Sequence, residues 1–160
     1  MPLHLQYKGT ARTPDGRALD IPAPLVLRTR GPAVEIAVAV SAELEQALSE
    51  AKQPVAAPIT GLALIDTGAA STCVDETVAQ KLGVSPIDVV RIASASHAQA
   101  EKSVYPVRLR LLGTTIEIAA SRAIGVPLQP QGFIALLGRD FLERFVLIYN
   151  GSAGEMTLGL

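Results

Sequence analysis

An apolar run, Leu62-Ala63-Leu64-Ile65, stops abruptly at Asp66-Thr67-Gly68-Ala69-Ala70-Ser71, and the rest of the chain has to be built around that junction. It reads as a strand that delivers a carboxylate into a tight turn. Leu64 and Ile65 point to opposite faces of a strand and both favour burial. Asp66 therefore emerges from apolar surroundings, where an unpartnered charge is costly. Gly68 permits a turn, or the close approach of another chain, that a Cβ would obstruct. Taken alone, Asp-x-Gly is ordinary turn chemistry at a strand end.

The 160 residues suit one domain with a real core, and with 49% hydrophobic but only 4% aromatic residues that core must be made of Ala, Val, Leu and Ile. A net charge of −1 with scattered Lys and Arg argues against a nucleic-acid surface, which needs clustered cations. One cysteine, Cys73, allows no internal disulfide and fits a reducing compartment. The stretch Met1-Pro2-Leu3-His4-Leu5-Gln6 has no charged start followed by an apolar segment, so no secretory signal is expected. No apolar run approaches the roughly 20 residues of a membrane span. Asn150-Gly151-Ser152 matches a glycosylation sequon but reads as turn chemistry. The expectation is a cytoplasmic domain that binds neither nucleic acid nor membrane.

Residues 1–33 read as an irregular N-terminal extension. Pro22, Pro24 and Pro32 break helices, Thr13-Pro14-Asp15-Gly16 is a turn, and short strands are possible at Leu3–Lys8 and Leu25–Thr29. From Pro32 to Val40 apolar residues alternate, with Val34, Ile36, Val38 and Val40 on one strand face. Ser41 then caps a helix over 42–52, part of a helical insertion at about 42–53, whose Leu44, Ala47, Leu48 and Ala51 share a stripe. Its glutamates read as a solvated face. Beyond the opening junction, Asp75 can cap a short helix that ends at Gly83. Strands are expected at Val89–Ile92 and Val104–Leu111. Residues 93–103 between them are small and polar, the composition of a mobile hairpin tip. Further strands are expected at Thr114–Ala120, at Phe133–Leu137 and in a final hairpin, Phe145–Tyr149 with Glu155–Leu160. Arg139–Arg144 reads as a short helix. Eight to ten short strands with two or three short helices indicate an all-β, closed or strongly curled domain.

A second apolar run, Phe133-Ile134-Ala135-Leu136-Leu137, ends at Gly138-Arg139-Asp140. The pair Leu64-Ile65-Asp66-Thr67-Gly68-Ala69 and Leu136-Leu137-Gly138-Arg139-Asp140-Phe141-Leu142 resembles the paired signature of retropepsin-like aspartic proteases, and the single-domain bacterial members look closer than the retroviral ones. The resemblance covers residues 34–160 and includes a hairpin in the place of the family's flap. It implies an aspartic endopeptidase with no cofactor and no metal. Peptide hydrolysis without a metal or a covalent nucleophile needs a base for water and an acid for the amide. Two carboxylates about 3 Å apart cannot both ionise, so they share a proton and supply both roles. This chain has a single Asp-Thr-Gly, and the family's residue at Asp140 is structural. The second Asp66 must then come from another copy, so the resemblance implies a homodimer.

By the same resemblance Thr67 steadies the paired loops and Gly68 admits the substrate backbone. Ala69 and Ala70 line an extended peptide, the tip Ala93, Ser94, Ala95, Ser96 and His97 closes over it, and Leu136 borders a side-chain pocket. Gly138, Arg139 and Asp140 support the catalytic turn. Where pepsin-like relatives often carry Ser, this chain has Ala69, which implies an optimum at mildly acidic pH. The chain departs from retroviral members after Asp-Thr-Gly-Ala. They carry an Asp that pairs with the later Arg, whereas Ala70-Ser71 stands here, so Arg139 needs another partner, with Asp75 and Asp140 as candidates. Two rival readings are a catalytically silent dimerisation or peptide-binding module, and a phosphate-binding loop of a sugar-kinase-like ATPase. The second needs two larger α/β halves than 160 residues supply.

Overall fold

The computed structural model describes residues 2–94 and 97–160, with side chains described outside residues 93–99. The chain divides into two compact units, Met1–Ala33 with Leu142–Leu160, and Val34–Phe141.

In the larger unit the strands are β4 (Ala33–Val40), β5 (Ile59–Ile65), β6 (Cys73–Asp75), β7 (Asp88–Ser94), β8 (His97–Leu111), β9 (Glu117–Val126) and β10 (Ala135–Leu137). They form one sheet in the order β4-β5-β10-β6-β9-β8-β7, and β4 also pairs with β8. Six strands thereby close on themselves, with β7 hanging from β8. At the closing seam Ile36, Val38 and Val40 stand opposite Leu111, Leu109 and Val107. All six are buried, which is why the alternating pattern of Pro32–Val40 reads true. The chain is thus mostly β and the sheet of its larger unit is closed, as expected.

Several elements differ from the sequence reading. The segment 93–103 is not a loose tip throughout, because Val90, Arg91 and Ile92 pair with Lys102, Glu101 and Ala100, and Ser94 pairs with His97. Small polar residues are compatible with a ladder when backbone bonds, not side-chain packing, hold it. Strand β9 starts later than Thr114, because Thr114 forms a turn in which its Oγ accepts the Ile116 N–H at 3.0 Å. Helix α2 (Ala42–Glu50) is capped by Ser41, whose Oγ accepts the Leu44 N–H at 3.2 Å. No residue of α2 is fully buried, and Arg108 ties it down by bonding Glu45 and the Val40 carbonyl. Glu45 therefore has a partner and is not simply solvated.

In the smaller unit β1 (Leu3–Gln6), β11 (Val146–Asn150) and β12 (Glu155–Gly159) form a sheet in the order β1-β12-β11. β2 (Gly9–Arg12) and β3 (Ala18–Ile21) make a separate ribbon. Residues 3–30 thus hold three strands and a helix, and Leu25–Thr29 lies in that helix, α1 (Ala23–Arg30), not in a strand. Pro22 caps α1 and Pro24 falls in its first turn, where the missing N–H has no intrahelical partner to lose. The prolines start this helix. Leu27 of α1 is fully buried, as are Met156 and Leu158 of β12. Gly154, with φ +69, lets the turn before β12 approach α1, since a Cβ there would lie 2.2 Å from the Ala23 carbonyl carbon. No helix among the described residues is long and apolar enough to cross a membrane.

Candidate active site

Strands β5 and β10 run parallel, with Leu64 opposite Leu136 and Ile65 opposite Leu137. The two apolar runs therefore travel side by side and release their motifs at the same end. The Asp66 N–H extends the pairing by donating to the Leu137 carbonyl at 3.0 Å. The chain then turns on itself. The Gly68 N–H donates to Asp66 Oδ1 at 2.8 Å, and the Ala69 N–H donates to the Asp66 carbonyl at 3.2 Å. Asp66 is half-buried, whereas Thr67 and Gly68 are exposed.

The second motif backs this turn along its length. Arg139 Nη1 donates to the carbonyls of Thr67 at 2.9 Å and Gly68 at 3.0 Å. The Arg139 N–H donates to the Ala69 carbonyl at 3.0 Å, and the Asp140 N–H to the Ala70 carbonyl at 3.3 Å. The carbonyls of all four residues after Asp66 thus accept from Arg139 and Asp140. Neither Asp75 nor Asp140 is the partner of Arg139, which corrects that expectation. Asp140 Oδ1 instead accepts from Thr72 Oγ at 2.7 Å and the Phe141 N–H at 2.8 Å, and Oδ2 from the Thr72 N–H at 2.9 Å. The Thr72 hydroxyl, buried, also accepts the Gly138 N–H at 3.3 Å. A Cβ on Gly138 would stand 2.5 Å from the Ser71 carbonyl carbon, so only glycine permits this approach.

Leu136 sits between Leu64 and Cys73 and is half-buried. Burial, with smaller contributions from the Asp140 and Asp66 carboxylates, pushes the Cys73 thiol up to about 11, so it stays protonated at neutral pH. Asp75, which caps α3 (Glu76–Lys81), is buried. Its Oδ1 accepts from the Thr77 N–H at 2.9 Å and Thr77 Oγ at 2.5 Å, and its Oδ2 from the N–H groups of Leu128 at 2.7 Å and Gln129 at 2.9 Å. Burial alone would raise its pKa, but these donors outweigh it and hold the carboxyl below the ordinary carboxylate range.

Asp66, Thr67, Gly68, Ala69, Ala70, Gly138, Arg139 and Asp140 therefore meet in one place, with Leu136 two residues upstream of Gly138. Ala93 and Ser94 lie at the end of β7 and His97 starts β8, but their side chains are not among those described, and Ala95 and Ser96 lie outside the described residues. Thr72 escaped the sequence reading. Nothing local marks it, because its partner Asp140 is 68 positions away and only folding brings the two together. Chemically, the turn presents one carboxylate with a free edge. Asp140 has both oxygens engaged by donors from Thr72 and Phe141. No group of three His, Cys, Asp or Glu among the described residues converges as metal ligands do.

The family described as "gag-polyprotein putative aspartyl protease" matches residues 60–144, which include both motifs. Among solved structures, a retropepsin-like aspartic protease from Rickettsia conorii is similar over 99% of this chain and 92% of its own, at 17% identity and a TM-score of 0.48. No curated protein sequence matches the chain.

Proposed function

We infer the function from one premise: the chain belongs to the gag-polyprotein aspartyl protease family. On that premise the protein is an aspartic endopeptidase that works as a homodimer, with one Asp66 from each copy meeting on the two-fold axis. The observation that carries this reading is the contrast between the two aspartates of the paired motifs. Both oxygens of Asp140 accept from Thr72 and Phe141, while Asp66 opens a turn whose next four carbonyls are held by Arg139 and Asp140. One chain thus offers half of the acid–base pair that the chemistry needs.

In the dimer the two carboxylates share one proton. The ionised carboxylate takes a proton from water as the water oxygen bonds to the peptide carbonyl carbon, and the other gives its proton to the carbonyl oxygen. Collapse of the diol breaks the C–N bond, with the proton passed to the leaving amine. The substrate lies extended along Ala69 and Ala70, beneath the hairpin tip of Ala93, Ser94, Ala95, Ser96 and His97, with Leu136 bordering a side-chain pocket. Thr67 and Gly68 steady the turn and admit the peptide, and the working compartment is the reducing cytoplasm.

The test is digestion of a peptide library by wild type and by Asp66→Asn, with sedimentation of both. Cleavage by the wild type alone, with both proteins dimeric, is expected. Dimers that cleave nothing would replace this reading with a silent peptide-binding module, and a cleaving monomer would remove the shared pair.

A further inference from the structure

We propose that Arg139 is a specificity residue: the edge of its guanidinium not used inside the turn takes a carboxylate of the peptide, so that substrates with Asp or Glu a few residues from the scissile bond are preferred. The inference rests on the endopeptidase reading and adds the substrate class. A guanidinium carries five N–H donors in a planar fork. Arg139 spends Nη1 on the carbonyls of Thr67 and Gly68. These neutral acceptors orient the group and leave its charge uncompensated. Among the described residues no carboxylate comes within ion-pair distance of Arg139, a state it shares with Arg12, Arg28, Arg30, Arg110 and Arg144; what sets it apart is that its Nη1 is fixed on the turn that carries Asp66.

Asp140 bonds Thr72 and Phe141, Asp75 bonds Thr77, Leu128 and Gln129, and Asp66 turns Oδ1 to the Gly68 N–H and makes no ion pair with Arg139. Ala69, Ala70 and Ser71 add no charge. Arg139 is also exposed in the single chain, with its Nε and Nη2 donors unused among the described residues. It bonds the carbonyls of the two residues that directly follow Asp66, and the endopeptidase reading runs the substrate past those residues. Its backbone is fixed as well, through the Ala69 carbonyl. A guanidinium already anchored through Nη1 loses less freedom when it binds, and carboxylate is the acceptor whose two oxygens match its free edge.

The test uses peptides that differ only as Glu against Gln, or Asp against Asn, at each position within a few residues of the cleaved bond. Turnover is read with wild type, Arg139→Gln and Arg139→Lys, and binding is read by fluorescence anisotropy with Asp66→Asn. Wild type should favour the acid over its amide by about tenfold in kcat/KM at one position, the size expected of a charge-assisted contact at a partly exposed site. The preference should vanish in Arg139→Gln, survive in part in Arg139→Lys, and shrink as salt is added. An unchanged acid-to-amide ratio in Arg139→Gln overturns the proposal, as does a wild type with no preference at any position. A general loss of turnover with that ratio intact would mean that Arg139 only supports the turn. If Arg139→Gln does not fold, the salt-sensitive preference of wild type and of Asp66→Asn decides. Acid-selective binding without any cleavage would uphold the role of Arg139 and remove the endopeptidase reading instead.

Discussion

Thr72 is buried, and its hydroxyl serves two partners, donating to Asp140 and accepting from Gly138. Thr72→Val keeps the shape but strips Asp140 of a donor and leaves the Gly138 N–H unpaired. Urea denaturation should show a loss of about 1–3 kcal/mol, the cost of orphaned buried groups. Gly138→Ala should also be destabilising, by at least about 1–3 kcal/mol, because its Cβ meets Ser71 backbone that cannot swing aside. Asp75 gives a pH signature. A carboxyl held below its ordinary range stabilises the fold fully above about pH 4, and that contribution is lost as pH falls through the folded value. Asp75→Asn should therefore be less stable than wild type near neutrality, with the gap narrowing below about pH 4. A gap that widens in acid would contradict the assignment. Asp66 was legible in the sequence because an apolar run, a carboxylate and a glycine are adjacent. Thr72 and the true partner of Arg139 were not, since both depend on contacts across some 70 positions that only the fold creates.

Among the elements, local patterns worked where side chains alternate and failed where backbone chemistry decides. The alternation of β4 and the Ser41 cap of α2 could be read directly. Ser41→Ala should cost about 1 kcal/mol, the usual worth of such a cap, detectable as a shift in urea midpoint. The prolines around α1 misled because a proline in a first turn starts a helix while one further on breaks it. Residues 3–6 gain their meaning from β12, whose register runs from Leu3 opposite Leu158 to Gln6 opposite Glu155. Deleting residues 1–12 would strip β12 of that neighbour while its buried Met156 and Leu158 still need cover. Loss of cooperative unfolding, or aggregation, is the expected result, and an unchanged transition would show the strand dispensable.

For the whole molecule, the seam between β4 and β8 closes the sheet, and the parallel pair β5 and β10 delivers both motifs to one end of it. That arrangement explains why two weak motifs far apart in sequence carried the family resemblance. On the proposed reading each chain brings one carboxylate, Asp66, to the reaction, the central claim of this account. Subunit mixing tests it most directly. Wild type equilibrated with an equal amount of Asp66→Asn should form mixed dimers that lack a proton-sharing pair. Activity per wild-type chain should then fall to about half, by random pairing around a two-fold axis. Activity that stays at the level of wild type alone, with mixed dimers present, would contradict the claim that Asp66 works only as a pair.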